Sequence, residues 1–467
     1  MSELPSTIAK LQSSLAKGEL SVPEALQIQR QRLSSLDGAK SGFVQVFDPS
    51  EDKYPTAGSL SGIGLAHKDI FQLTHRAPGL GLVQSRPPGI SPLPLADCIE
   101  ALHRSGAVQL GALHMAPYAC GATSQNEYIG ECINPLDANR VVGGSSSGSA
   151  VAVAQELCYA SLGTDTAGSI RIPAATCGLV GLKTTMGLLP TKGVAPLAPH
   201  LDTVGLIARS AEDLELVLRE LHANTPHETP SMSGPLRVAQ TFSRIHCWLP
   251  TRLLDARVAQ EMLDCANTLP QVSIQEQFEE ETALSACAEM LLYQQVAQTH
   301  CALKDVQPSQ HQEASLFPPT SQSASLPKAL QELMLLGCVQ PRSWSLEVLK
   351  QRSNWTQRFL ERYLKSHDLF MLPSIGIELP LQSQVRVGDP AFEPRKLLAL
   401  HRFMAFVNYL GLPSLSLPIG ADSQGMPISV QVICRPYQEL SLLRWAQSFI
   451  GARFGSQNVR QLFPILS

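Results

Sequence analysis

The chain has 467 residues, 44% hydrophobic and 16% charged, a composition typical of soluble globular proteins and sufficient for a large core. Its 36 Lys and Arg against 40 Asp and Glu give a net charge of -4, which leaves no electrostatic footprint for nucleic acid and favours small neutral or weakly charged ligands. The first residues carry no apolar leader pattern and no run of ~18 apolar residues occurs, so no membrane contact and a cytosolic location are expected.

The first 40 residues read as one or two amphipathic helices, with Leu11, Leu15 and Ala16 at helical spacing and a restart over Leu20 to Glu24 that puts Pro23 in the first turn. Ile63 to Phe71 is a short apolar run broken by Lys68 and Asp69, the pattern of a buried strand ending on polar residues. Ile63, Leu65 and Ile70 around Lys68 are compatible with its burial; an ordinary Lys68–Asp69 surface pair is the alternative. Helical periodicity follows at Ile99, Leu102, His103 and Gly106, then a strand pattern over Val108 to Leu113, an α/β alternation.

Downstream of a serine-rich segment, AEDLELVLRELH predicts a helix capped by Ser210, with Leu214, Val217, Leu218 and Leu221 on its apolar face. Residues 222 to 366 are less legible: HANTPHETPSMSGP and DVQPSQHQEASLFPPTSQSASLP read as long surface loops, either bordering a site or simple insertions. After Asp368 the pattern returns. LFMLPSI, Leu415 to Ile419 and Ile428 to Cys434 read as strands, and QELSLLRWAQSFI as a closing helix. These features predict an α/β fold: one central mixed sheet assembled from both ends of the chain, flanked by helices on both faces. They are read as one unit and not as independent domains in series, with 367–467 returning to the sheet and the variable part between. The 11 cysteines show no C-x-x-C spacing and read as reduced, mostly buried thiols.

Between Gly143 and Pro173 runs GGSSSGSAVAVAQELCYASLGTDTAGSIRIP, two glycine-flanked serine turns whose Ser145 and Ser169 stand 24 positions apart. The first turn leads into a helix and could cradle phosphate, but it lacks the Lys-Ser/Thr ending of a nucleotide loop. Gly144 to Gly148 also matches G-x-S-x-G, a nucleophile elbow on Ser146 that would need an acid and a histidine downstream, such as Asp368 and His401. In the second turn, Thr166, Ala167, Gly168 and Ser169 can converge backbone N–H groups where an oxyanion develops beside the Ser169 hydroxyl. Thr164 and Asp165 making ordinary turn hydrogen bonds is the plainer reading of the same residues.

GGSSSGSA, the serine of GTDTAGSIRIP and the upstream AHKDIF together resemble the amidase signature family of serine amide hydrolases. NPLDANRVVGG, CGLVGLKTTMGLLPTKGVAPLAPHLDTVGLIARS, GELSVPEAL and NYLGLPSLSLPIG extend the likeness over most of the chain, with 222–366 the weak part. The resemblance implies one large amidase-signature domain over residues 1–467, with a catalytic core at about 60–210, a variable 222–366 insertion bordering the substrate and 367–467 returning to the central sheet. It implies Ser169 as nucleophile, Ser145 as a bridging serine on a cis peptide, and Lys68 as base. It implies an oxyanion site on the backbone of Thr166, Ala167, Gly168 and Ser169. Ser146 would orient the triad, Asp165 and Arg171 would pair beside the nucleophile, and Thr123 would line the site or stabilise its loop. His67 and His103 read as ordinary polar residues. No cofactor is expected and no His/Cys/Asp cluster has metal-ligand spacing. The expected partner is a small-molecule amide, with a homodimer left open.

Ala167 and Ser147 stand where most of the family has glycine, and Glu127 where proline or histidine is frequent. Ala167 resembles the related allophanate hydrolases, which act on urea-like substrates. Alternatives within the family are that enzyme type and the glutaminase subunit of a tRNA-dependent amidotransferase; outside it stands a catalytically idle amide-binding protein.

Overall fold

Two β-sheets organise the part of the chain described by the computed structural model, residues 4–34, 41–47, 58–82, 92–226, 236, 241–301, 326–455 and 462–464. Strands β1 (Phe43–Val46), β2 (Gly64–Lys68) and β3 (Val108–Leu113) form a small sheet in the order β1-β3-β2. The large sheet comprises β4 (Ala160–Asp165), β5 (Val180–Lys183), β6 (Thr203–Ala208), β7 (Ile245–Trp248), β8 (Val272–Gln275), β9 (Leu369–Pro373), β10 (Ser414–Ala421) and β11 (Pro427–Ile433). Its order is β4-β6-β5-β10-β11-β9-β7-β8. It is mixed: β7 runs parallel to β8 and β9, and the pairs from β4 through β11 are antiparallel. Every residue of β4, β5, β6, β9 and β11 is buried, the polar Thr164, Asp165, Lys183 and Gln431 included, so these strands are covered on both faces and do not alternate between apolar and polar positions.

The expected helices form where the capping chemistry places them. Ser21 starts the helix Val22–Ser34, its N–H donating to Glu24 Oε2 at 2.8 Å while Glu24 N–H reaches back to Ser21 Oγ at 3.4 Å, a reciprocal cap. Ser210 starts Ala211–Asn224 by accepting from Asp213 N–H. The Asp213 carboxylate in turn accepts from Ile8 N–H at 2.8 Å, joining that helix to the N-terminal helix Ile8–Ala16.

The buried strand expected around Lys68 forms as β2, which pairs only with β3 among the described residues and so belongs to the small sheet. One expectation is corrected. The 222–366 stretch is not merely an insertion between strands, since β7 and β8 extend the large sheet at one edge. Most of the two Pro/Ser/Gln-rich segments, residues 227–235 and 305–325, lies outside the described residues. The ten cysteines whose side chains are described are free thiols, with Cys338 exposed and Cys287 half-buried.

The contact between the two sheets positions the chemistry. On β2, His67 turns its Nδ1 toward β4 and accepts from Leu162 N–H at 3.2 Å, while Tyr159 N–H donates to Gly64 O at 3.1 Å. Burial holds the His67 imidazole down to about 3, so the ring is neutral and Nδ1 is free to accept. An unfolded histidine takes up a proton below about 6.5, so this burial costs stability increasingly as the pH falls below that value. His67→Leu is expected to leave Leu162 N–H unpaired and cost about 1–3 kcal/mol at pH 8, with a smaller loss at pH 5. Urea unfolding at the two pH values checks this.

Candidate active site

The first serine turn is built on backbone freedom. Gly143 has φ of 80°, in the left-handed region that favours glycine. A Cβ on Gly144 would lie 2.2 Å from the Thr123 carbonyl oxygen. The Gly144–Ser145 peptide is cis. Ser147 Oγ donates to Gly143 O at 2.8 Å and closes the turn onto the fully buried helix Ser147–Ala154.

Lys68 comes to this turn from the end of β2 with no exposed surface. Its Nζ donates to Ser145 Oγ at 2.8 Å and to Thr164 Oγ1, on β4, at 2.9 Å. Burial lowers the ammonium to about 7, against the opposing pull of Asp202, Asp165 and Cys120. The surface-pair alternative does not hold: Asp69 is engaged by Arg76, with Nε to Oδ1 at 2.7 Å and Nη2 to Oδ2 at 2.8 Å.

The second turn lies directly against the first, Ser146 N–H donating to Ser169 O at 3.2 Å. Ser169 is half-buried. Asp165, at the end of β4, organises the turn. Its Oδ1 accepts from Gly168 N–H at 2.8 Å and its Oδ2 from Ile170 N–H at 3.2 Å. Arg171 closes a bidentate pair with it, Nε to Oδ2 at 3.0 Å and Nη2 to Oδ1 at 2.8 Å. Burial alone would raise the Asp165 carboxyl, but the Arg171 charge and its hydrogen bonds outweigh that and hold it well below the usual carboxylate range. Arg171 also reaches Gln431 Oε1 at 2.8 Å and Asn408 Oδ1 at 2.7 Å, and Asn408 Nδ2 donates to Asp165 O at 2.8 Å.

Of the four backbone N–H groups expected to converge here, that of Gly168 is already engaged by Asp165, whereas those of Thr166, Ala167 and Ser169 have no hydrogen bond among the described residues. Gly168 is also needed for space, since a Cβ there would sit 2.6 Å from the Met404 side chain.

The nucleophile elbow is not assembled. Ser146 Oγ donates to Thr164 O at 3.5 Å, Asp368 accepts from Ser243 and Arg244 N–H at 3.0 Å each, and His401 ends the helix Pro394–His401. The side chain of Thr123 accepts from Gln125 N–H at 3.2 Å within its own loop, while its carbonyl packs against Gly144.

Sequence reasoning passed over Thr164 as a lysine partner and Asp202 as an anchor. Asp202 accepts from Thr166 Oγ1 at 2.7 Å and from Leu197 N–H at 2.9 Å. Both lie inside the family-like motifs, in GTDTAGS and HLDTVG, among other polar residues that leave neither marked out locally. Lys183 was also missed. It is fully buried, donates to Thr184 O at 3.0 Å and Leu412 O at 2.8 Å, and burial, with the nearby Arg171 charge, lowers it to about 7.

Among the described residues no three His, Cys, Asp or Glu side chains group as a metal site, and no helix is long and apolar enough to cross a membrane. Residues 58–443 match the family model described as Amidase. The chain is 27% identical to a subunit of the Glutamyl-tRNA(Gln) amidotransferase of Ruminiclostridium cellulolyticum, over 95% of this chain and 96% of that one. Its fold superposes on 6-aminohexanoate cyclic dimer hydrolase with a TM-score of 0.79 at 20% identity, covering 98% of this chain and 99% of that one. Allophanate hydrolase of Kluyveromyces lactis gives a TM-score of 0.77 at 21% identity, over 99% of this chain and 75% of that one. With the family model matching most of its length, the chain belongs to the amidase signature family of hydrolases acting on carbon–nitrogen bonds other than peptide bonds.

Proposed function

We propose that the protein hydrolyses the amide bond of a small substrate through Lys68, Ser145 and Ser169, with an acyl-enzyme on Ser169. The observation that carries this reading is the 2.8 Å contact of a fully buried Lys68 Nζ with Ser145 Oγ, on the turn held against Ser169. A lysine lowered to about 7 is partly neutral near pH 7 and can accept a proton. Neutral Lys68 takes the Ser145 proton, Ser145 takes that of Ser169, and Ser169 Oγ attacks the amide carbon. The backbone N–H groups of Thr166, Ala167 and Ser169 stabilise the oxyanion, on a turn fixed by Asp165 and Arg171.

The proton returns from Lys68 through Ser145 to the leaving nitrogen, the C–N bond breaks, and amine or ammonia departs. Water then attacks the ester by the same relay, giving the carboxylic acid and free Ser169. Ser146 supports the turn junction, and Thr123 borders it through its main chain. On this reading the whole chain acts as one domain, with 222–366 bounding the substrate cleft.

A second reading, a glutaminase component of a larger enzyme, is favoured by the match over nearly the full length to one subunit of an amidotransferase; a third, hydrolysis of a urea derivative, by Ala167 in the oxyanion turn. Ammonia or amine release from glutamine, primary amides, anilides, carbamates and urea derivatives separates them. Ser169→Ala is expected to lower kcat by at least ~10⁴-fold and to abolish labelling by a fluorophosphonate. Activity that survives in Ser169→Ala and disappears in Ser146→Ala would contradict the assignment.

Below about pH 7 Lys68 holds its proton and cannot accept another; above it the amine is neutral. kcat/KM is therefore expected to rise with pH through about 7 and level off. Thr164→Val removes one acceptor of the Lys68 ammonium, so the rise is expected to move to lower pH while kcat falls on the order of tenfold. A kcat loss with an unmoved profile would make Thr164 merely structural.

A further inference from the structure

We infer that Tyr118 and His300 form a recognition pair beside the active site for an uncharged donor–acceptor group on the substrate, such as a second amide, a carbamoyl or a ureido group. This rests on the amidase reading and adds a specificity determinant to it. The segment after β3 is bound to the first serine turn, Ala116 N–H donating to Ser145 O at 3.1 Å. Two residues on, Tyr118 and Ala119 adopt φ of 53° and 60°, a left-handed conformation costly for residues with a Cβ. Tyr118 is nearly buried and meets the ring of His300 edge-on, with centroids 5.7 Å apart at 87°.

His300 lies in the last turn of the helix Glu281–Cys301. One turn and more upstream, Gln295 Oε1 accepts from His200 N–H at 3.4 Å. The His200 loop carries Asp202, whose carboxylate holds Thr166 in the oxyanion turn. The helix thus joins the oxyanion side to the Ser145 side.

His300 is 3% exposed and neither ring nitrogen has a hydrogen-bond partner among the described residues, although buried polar groups in native proteins are nearly always satisfied. Burial lowers its imidazole to about 4, so near pH 7 it offers one N–H donor and one nitrogen acceptor. The Tyr118 phenol, raised by burial, stays neutral and supplies a hydroxyl that can donate or accept. Such a pair satisfies a group with both donors and acceptors. It does not compensate a carboxylate or ammonium, whose burial without an opposite charge is unfavourable.

The test uses the full-length Ser169→Ala protein and calorimetry with succinamide and 4-methylpentanamide, in which an isopropyl group replaces the second amide. Succinamide is expected to bind more tightly, and His300→Phe or Tyr118→Phe added to Ser169→Ala is expected to reduce that preference about tenfold. Tyr118→Phe keeps the ring packing and reads the hydroxyl alone if the histidine variant fails to fold. No preference in Ser169→Ala, or a preference that neither substitution changes, overturns the pairing. If the preference behaves as expected but the wild-type protein releases no ammonia from succinamide, the amidase reading fails and the recognition pair stands. If succinamide is cleaved with the preference unmoved, the pairing alone fails.

Discussion

The buried Asp165–Arg171 pair is the constraint on which the rest of the site depends. Both side chains have no exposed surface, so neither charge is tolerable alone, and losing one partner of such a pair typically costs about 3–5 kcal/mol. Their remaining hydrogen-bonding capacity is what gives the pair its reach. Asp165 gathers the N–H groups of the turn that contains Ser169, while Arg171 extends to Asn408 and to Gln431 on β11. A planar guanidinium with several fixed donors can make all these contacts at once, which a lysine ammonium cannot. The pair therefore locks the serine turn to the far end of the chain.

Two buried lysines in this fold show that burial alone does not make a base. Lys68 and Lys183 are both enclosed and both lowered to about 7. Lys183 donates to two backbone carbonyls, which have no proton to give, so its role is to tie β5 to the segment before β10. Lys68 faces two hydroxyls, and a hydroxyl can pass a proton on. The partners, not the depth of burial, separate the proposed base from a structural cation. The contact of His67 with Leu162 across the sheets holds Lys68 in register with those hydroxyls.

Much of this was legible in the sequence because it is local. Val108 to Leu113 is the strand the pattern predicts, Ser210 caps its helix, and LFMLP and the pair around ADSQGMP form β9, β10 and β11. The serine turns and Lys68 stood out because hydroxyls, glycines and a lysine interrupt apolar runs. What escaped was non-local. Nothing in GLAHK says that β2 pairs with β3 in a separate sheet, and IHCW and VSIQ are too short and too polar in their surroundings to read as strands. The engagement of Gly168 N–H by Asp165 depends on how the turn closes, and Thr164 becomes a lysine partner only once the sheets meet. Asn408 and Gln431 lie more than two hundred residues from Arg171, with no local motif to mark them.

In the proposed mechanism the acyl group of the substrate is carried on Ser169. The most direct measurement is to quench the wild-type protein with acid during turnover of an activated anilide and map the modified peptide by tandem mass spectrometry. An acyl mass on Ser169 is the expected result. An adduct on Ser145 or Ser146, or turnover with no covalent adduct under conditions where deacylation is slow, would contradict it.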